Sequence, residues 1–430
     1  MKIASRVLAL ALTLLIAAAP RAQAQLRGHG GPVRGLAVSG DGKHAVSGSF
    51  DTSVIRWSLT SGTAEQVLRF HEGAVNCVVI LKDGRIATSG EDARIAIWRP
   101  GEDKPATILK GHEGPVVGLA ASADGRWLAS AAWDRTARLW PLSGGEPRVL
   151  AGHQQNVNGV AFTPDSRALV TAGYDATVRI WPVGGGDPPI VVTLSSPLNA
   201  VAVAPDGEIM AAGASGSVYF LSPAGRTTGE IAGTGVPVIA LALSGDGKLA
   251  AAAGVRGAVA IIDRPARTIA RELVGPGLPV WSAAFLPDNH TLLTGGTDRV
   301  IRRWDAATGA PVGSVALGSV HDPLAAYAGD PGAEVFRACV SCHTLTTDEG
   351  NRAGPSLGGI FGRRIATLAG YNFSPALKNL DIVWTPETLS KLFEVGPAAY
   401  TPGTKMPEQR IGAQDHAGLV KFLEKATTGH

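Results

Sequence analysis

Residues 152–181 read GHQQNVNGVAFTPDSRALVTAGYDATVRIW, and this stretch decides the larger part of the fold. Gly152-His153 opens it and Trp181 closes it. Between them, apolar runs of strand length alternate with polar residues, and Asp165-Ser166 marks a turn. Asp175 stands six residues before Trp181, and Thr171 four before Asp175. Working outward, the same turn, as Asp-Gly or a near variant, recurs at Asp41, Asp83, Asp124, Asp206, Asp246 and Asp288. With Asp165 included, successive spacings are 42, 41, 41, 41, 40 and 42 residues. A fixed period of this length is the mark of a repeat architecture. Gly28-His29, Phe70-His71 and Gly111-His112 open further units that close on Trp57, Trp98 and Trp140. Asp51, Asp92, Asp134 and Asp298 each stand six residues before a Trp, which is Trp304 in the last case. Ser47, Thr88, Ser130 and Thr294 stand four residues before those Asp.

This period and these residues resemble the WD-repeat β-propeller family. The resemblance covers residues 25–318 and implies seven four-stranded blades. It also implies a buried tetrad of His, Ser or Thr, Asp and Trp within a blade. The four evenly spaced histidines are then structural groups rather than a metal ring, because a buried polar side chain needs a partner. Cys77, in an apolar run, reads as a small core residue. Units five and six depart from the pattern: Phe220 and Ile262 hold the Trp positions, and tetrad Asp and His are missing. They are expected to rest on apolar packing alone and to be locally less stable. The run Pro311 to Leu317 is expected to supply the last outer strand, closing the ring without an N-terminal strap. Just before the tetrad aspartates stand Phe50, Trp133 and Tyr174. Large aromatics at loop tips are candidate partner-binding anchors; the alternative is packing between neighbouring loops.

Lys2 and Arg6 precede a 13-residue apolar run, Val7 to Ala19, and Ala22-Gln23-Ala24 supplies a small-x-small site. Residues 1–24 therefore read as a secretory signal peptide, too short in its apolar core for a comfortable membrane span, and the expected location is periplasmic. No later stretch has the length and apolarity of a membrane span. Removing Lys2, Arg6 and Arg21 leaves 36 basic and 36 acidic residues, so no charge excess argues for nucleic acid or an acidic membrane surface. Residues 319–329 read as a linker. Asp330-Pro331 then starts a helix, an N-cap acid followed by Pro at the first helical position. Gly332 and Phe336 share one face of it, and Leu419, Phe422 and Leu423 share a face near the C-terminus, so these two helices are expected to cross.

The remaining motif is Cys339-Val340-Ser341-Cys342-His343. Two thiols at this spacing reach the two vinyl groups of one haem, and the adjacent histidine falls under the iron, the pattern of c-type haem attachment. A zinc site would need a second pair of ligands, and the only other cysteine is the distant Cys77. A redox C-x-x-C would not need the histidine. From Asp330 onward, "CVSCH", "RAGPSLGGIFGRR" (352–364), "GYNF" (370–373), "VWTPETL" (383–389) and "YTPGTKMP" (400–407) resemble class I cytochromes c, the mitochondrial-like branch in particular. The resemblance covers residues 330–430. It implies His343 and Met406 as axial ligands and one haem c bound through Cys339 and Cys342. It also implies that the Pro355 carbonyl orients the His343 ring, and that Arg363, Tyr371 and Trp384 stand near the haem propionates. There are departures: an extra residue near Gly396, Leu392 where relatives carry a Tyr beside the sulfur, and Leu377 where they carry an Asn. Losing donors beside the iron should lower the midpoint potential relative to typical relatives; an equal or higher value in a potentiometric titration contradicts this.

The expectation is therefore an all-β seven-bladed WD-repeat propeller followed by an all-α class I cytochrome c domain. The expected function is periplasmic single-electron transfer with redox partner proteins, the propeller acting as a docking platform. Two alternatives stand beside it: a propeller with its own catalytic site feeding electrons to the haem, and a haem sensor whose Met406 is labile.

Overall fold

The structure, a computed structural model, describes residues 25–274, 278–312, 324–337, 339–340, 343–346, 354–369, 371, 373–402, 404, 406 and 411–427. The segment read as a signal peptide, Cys342, residues 313–317 of the expected closing strand and residues 319–323 of the expected linker lie outside the described residues.

The repeat units fold as seven four-stranded antiparallel sheets. Blade 1 runs Val33–Val38, His44–Ser49, Ser53–Ser58 and Ala64–Arg69, from innermost strand to outermost. Blades 2 to 6 repeat this order over 75–109, 116–151, 157–193, 198–231 and 238–274. The Asp-centred turns join first strand to second. Asp41 Oδ1 accepts from Ser39 Oγ at 2.6 Å and Lys43 N at 3.0 Å, and Gly42 takes the left-handed conformation that the turn requires (φ +68°). Ser166 and Asn289 occupy that same position at positive φ without being glycine.

Four blades contain complete tetrads. In blade 3, Trp140 Nε1–H donates to Ser130 Oγ at 2.8 Å; Ser130 Oγ and His112 Nε2 are 2.7 Å apart, as are His112 Nδ1 and Asp134 Oδ2. Because the indole can only donate and the carboxylate only accept, the proton order runs from Trp to Ser to His to Asp. Blades 1, 2 and 4 repeat the chain through His29, His71 and His153. Blade 7 keeps the Trp304–Thr294 bond at 2.8 Å. In blades 5 and 6, Phe220 and Ile262 are fully buried in one apolar cluster with Met210, Val218 and Ala250. Packing is not their sole support, contrary to expectation. Arg264 bridges Asp206 at 2.6 Å and Glu208 at 2.8 Å, and Arg267 joins Glu208 at 2.9 Å, tying blade 6 to blade 5.

Ring closure also differs from expectation. Blade 7 comprises Val280–Phe285, Thr291–Gly296 and Val300–Asp305, and its outer strand is Gln25–Arg27. Leu26 pairs with Ile301 and is 1% exposed. The expected strand does begin: Pro311 bridges Trp304, and Val312 N–H donates to the Arg303 carbonyl at 3.0 Å. The edge of Val300–Asp305 is thus shared, its first half by the N-terminal strap and its second by the returning chain. Three residues suffice because one apolar side chain can be fully buried there while the backbone satisfies the open edge.

The C-terminal domain is helical: α1 Pro331–Phe336, α2 Pro375–Lys378, α3 Pro386–Val395, α4 Pro397–Tyr400 and α5 Ala413–Thr427. Its packing begins ahead of α1, at buried Leu324 and at Tyr327, whose ring meets Phe422 edge-on at 5.1 Å. The α1 and α5 helices cross as expected. A Cβ on Gly332 would collide with the Gly418 carbonyl and lie 2.6 Å from Phe422 Cβ, and the Phe336 and Phe422 rings pack at 5.4 Å. Among the described residues no helix is long and apolar enough to cross a membrane.

Candidate functional site

Asp330 caps α1, accepting from Gly332 N at 2.9 Å and Ala333 N at 3.3 Å. Beyond α1, Cys339 N–H donates to Phe336 O at 2.7 Å and His343 N–H to Cys339 O at 2.9 Å. The two backbones are thereby stacked one turn apart. His343 Nδ1 lies 2.8 Å from the Pro355 carbonyl. A carbonyl only accepts, so Nδ1 carries the proton and Nε2 the lone pair. Gly354 lies flat against the same ring; a Cβ there would fall 2.7 Å from Nδ1 and 2.8 Å from Nε2. Leu357 N–H donates to Thr344 O at 2.8 Å and holds this loop in place.

The opposite wall comes from α3 and the segment after α4. Thr385 and Thr388 form a capping box that starts α3, and Leu389, Leu392 and Phe393 are buried on its inner side. The α3 and α4 helices meet at Gly396, where the extra residue falls and φ is +93°. Further on, Met406 N–H donates to Thr404 Oγ1 at 3.1 Å. His343, Cys339, Pro355, Met406, Trp384, Arg363 and Tyr371 all line one cavity of about 400 Å³. Leu377 and Leu392 line it as well, so the two positions expected to have lost donors do face this space.

The residues present fit a flat, largely apolar group with a metal at its centre and acids at one edge. Six leucines, four phenylalanines, Ile360 and Ile365 line much of the wall. Into this space come one imidazole with its lone pair on Nε2, one thioether and the Trp384 indole. The Trp384 backbone N–H donates to Arg363 O at 3.0 Å, whereas among the described residues its indole Nε1–H has no hydrogen-bond partner. Burial pushes the Cys339 thiol up to about 11. A thioredoxin-like nucleophile needs the opposite shift. The described residues contain no cluster of three or more His, Cys, Asp and Glu that could hold a bare metal ion. Arg363 lines the cavity, yet its guanidinium donates to Gly358 O at 3.0 Å and Ser356 O at 2.9 Å, so it braces the loop after Pro355.

The propeller contributes to this cavity, which the sequence did not disclose. Gly30, Gly31, Phe50, Asp51, Ser53 and Arg69 of blade 1 line it beside the helical residues. Phe50 is thus set against the C-terminal domain, and the Arg34 guanidinium lies 5.6 Å from its ring and 5.1 Å from that of Trp281. Trp133 and Tyr174 are elsewhere, on the corresponding turns of blades 3 and 4, each 44% exposed.

Comparison with known proteins supports both halves. The family model for the WD domain, G-beta repeat, matches residues 21–58, 62–99, 103–141, 144–182 and 267–305, passing over the two blades without tetrads. The model for cytochrome c matches residues 329–427. The chain is 42% identical to cytochrome c of Cochliobolus lunatus over 98 residues, 22% of this chain and 90% of that protein. The chain belongs to the cytochrome c family. Its cytochrome domain is similarly 42% identical to cytochrome c of Arabidopsis thaliana over 98 residues, 22% of this chain and 87% of that protein. It is 39% identical to that of Ulva intestinalis over 103 residues, 23% of this chain and 92% of that protein. The cytochrome domain implies a covalent haem c, redox partners and haem-based electron transfer, and the WD-repeat propeller precedes it in the chain.

Proposed function

We propose that the protein is a periplasmic electron carrier with one haem c, joined by Cys339 and Cys342 and ligated by His343 and Met406. The observation that carries this reading is the His343–Pro355 bond at 2.8 Å, which assigns the proton to Nδ1 and leaves Nε2 as the metal-ligating atom of a cavity that Met406 also lines. A haem so held supplies one-electron exchange between ferric and ferrous iron. Pro355 fixes the imidazole tautomer and orientation, and Gly354 admits the ring. The α3 leucines and Phe393 exclude water from the ligand side. Trp384 offers an indole N–H to an acceptor at the cavity edge. With His343 and Met406 both placed to hold the iron, the residues present would leave no open site for a substrate, and the role would be carriage rather than catalysis. The periplasmic location is supported by the charged, apolar and small-residue order of residues 1–24.

The test is the absorption spectrum of the purified haem-loaded protein, oxidised, then reduced with carbon monoxide added. The expected result is a ferric methionine–iron charge-transfer band, lost in Met406→Ala, and no carbon monoxide binding by the wild type. Rapid carbon monoxide binding by the wild type would instead mean a labile sixth position, and sensing or catalysis would replace carriage.

A further inference from the structure

The cavity is largely apolar, and polar side chains from both domains line it. Arg69 closes the outer strand of blade 1, and its Nη2–H donates to the Tyr371 hydroxyl of the cytochrome domain. Its guanidinium also stacks on the Tyr371 ring, 5.4 Å from the centroid. Both side chains line the cavity. The other cations there are otherwise engaged: Arg363 is held by two backbone carbonyls, and Arg364 lies 3.4 Å from Asp381. Arg69 pairs with no carboxylate among the described residues; its side chain meets the hydroxyl and ring of Tyr371. A guanidinium with spare donors at a protein cavity is suited to a carboxylate, which it can grip with two parallel bonds.

Haem c is amphipathic. Its vinyl-derived edge is tethered to the cysteines and its two carboxylates leave from the opposite edge. Apolar walls surround Cys339, whereas Arg69, Tyr371 and the Trp384 indole supply the donors.

We propose that Arg69 of the propeller is a haem-binding residue, gripping a carboxylate of the cofactor across the domain boundary with Tyr371 as its companion donor. This rests on the haem reading above. The WD-repeat propeller is then part of the haem site, and the cytochrome domain's electrochemistry depends on being seated against blade 1. A cation at the carboxylate edge offsets negative charge beside the iron and favours the ferrous form. Removing it should shift the midpoint potential downward.

The experiment is potentiometric titration of the full-length, haem-loaded protein as wild type, Arg69→Gln, Arg69→Lys and, as a control cation outside the cavity, Arg126→Gln. The expected result is a lower midpoint for Arg69→Gln, substantial recovery in Arg69→Lys and no shift in Arg126→Gln. A midpoint for Arg69→Gln equal to wild type, with the methionine–iron band intact, overturns the proposal while leaving the carrier reading standing. Loss of that band in the wild type would count against the carrier reading instead. If Arg69→Gln fails to fold, Arg69→Met and Tyr371→Phe decide: wild-type midpoints in both, with the methionine–iron band intact, overturn the proposal.

Discussion

At the scale of single residues, the tetrad aspartates show how a polar group becomes a structural one. Burial by itself pushes the Asp92 carboxyl up. Bonds from the His71 imidazole at 3.0 Å, Glu72 N at 3.1 Å and Arg94 N at 3.2 Å outweigh it, and the group is held at about 2. Asp51 is likewise held at about 2, where burial is opposed chiefly by His29 and by Ser53. A depressed folded-state pKa stabilises the fold above the ordinary value of 3.8 and loses that contribution as pH falls through the folded value. The melting temperature should therefore drop as pH is lowered from about 4 to about 2, and the drop should be shallower in Asp92→Asn. Thermal unfolding followed by circular dichroism across that range checks this; identical slopes would mean that Asp92 does not carry the effect. The tetrads were legible in the sequence because each is spelled by residues of one repeat at constant offsets. Gly354 was not singled out, since its need arises from a histidine ring eleven residues earlier whose direction only the folded loop reveals.

At the scale of elements, two corrections share one cause. The strap Gln25–Arg27 is three residues long and has no turn signal of its own, so nothing local marks it as a strand. Its stability comes from the open edge of Val300–Asp305 and from the pocket that takes Leu26. Leu26→Ala should cost about 2–5 kcal/mol, the range for emptying a buried leucine site. Denaturant unfolding gives the value directly, and a change below about 0.5 kcal/mol would show that the strap does not close the ring. The Arg264 and Arg267 bridges between blades 5 and 6 were equally hidden, because their acids lie more than fifty residues away. A further device recurs in every blade: the innermost strand carries a bulge near its start, as at Val75/Cys77 and Val157/Gly159. The bulge turns Asn76, Asn158 and Asn199 toward the next blade, where each donates to a backbone carbonyl at 3.3, 2.9 and 2.9 Å.

At the scale of the whole molecule, the cytochrome domain rests on the propeller face that bears the tetrad turns, above blade 1, and leaves the turns of blades 3 and 4 open. Trp133 is held in place there by its Nε1–H bond to Asn158 Oδ1 at 3.1 Å, a pre-set aromatic of the kind that anchors interfaces. We propose this region as the docking face for the redox partner. The segment 329–430 carries ten basic and ten acidic residues, so capture should depend little on ionic strength. Replacing both Trp133 and Tyr174 by Ala should slow electron exchange with the partner while leaving the absorption spectrum unchanged. Stopped-flow exchange at two salt concentrations tests both statements, and unchanged rates in the double variant would retire the face.

The amino-acid order by itself determined the two-domain plan, the blade count, four tetrads, the expected haem-attachment motif and the cytochrome-domain residues that were expected around the haem. Each of these is written in short-range spacing, where period, turn chemistry and adjacent ligands carry the signal. Tertiary structure alone decided how the ring closes, what braces the blades that lack tetrads, and that Phe50 and Arg69 face the cytochrome cavity. Those outcomes depend on which distant surfaces come to share an edge, a charge or a wall. No local pattern encodes such a pairing, because its free energy exists only once both partners are in place.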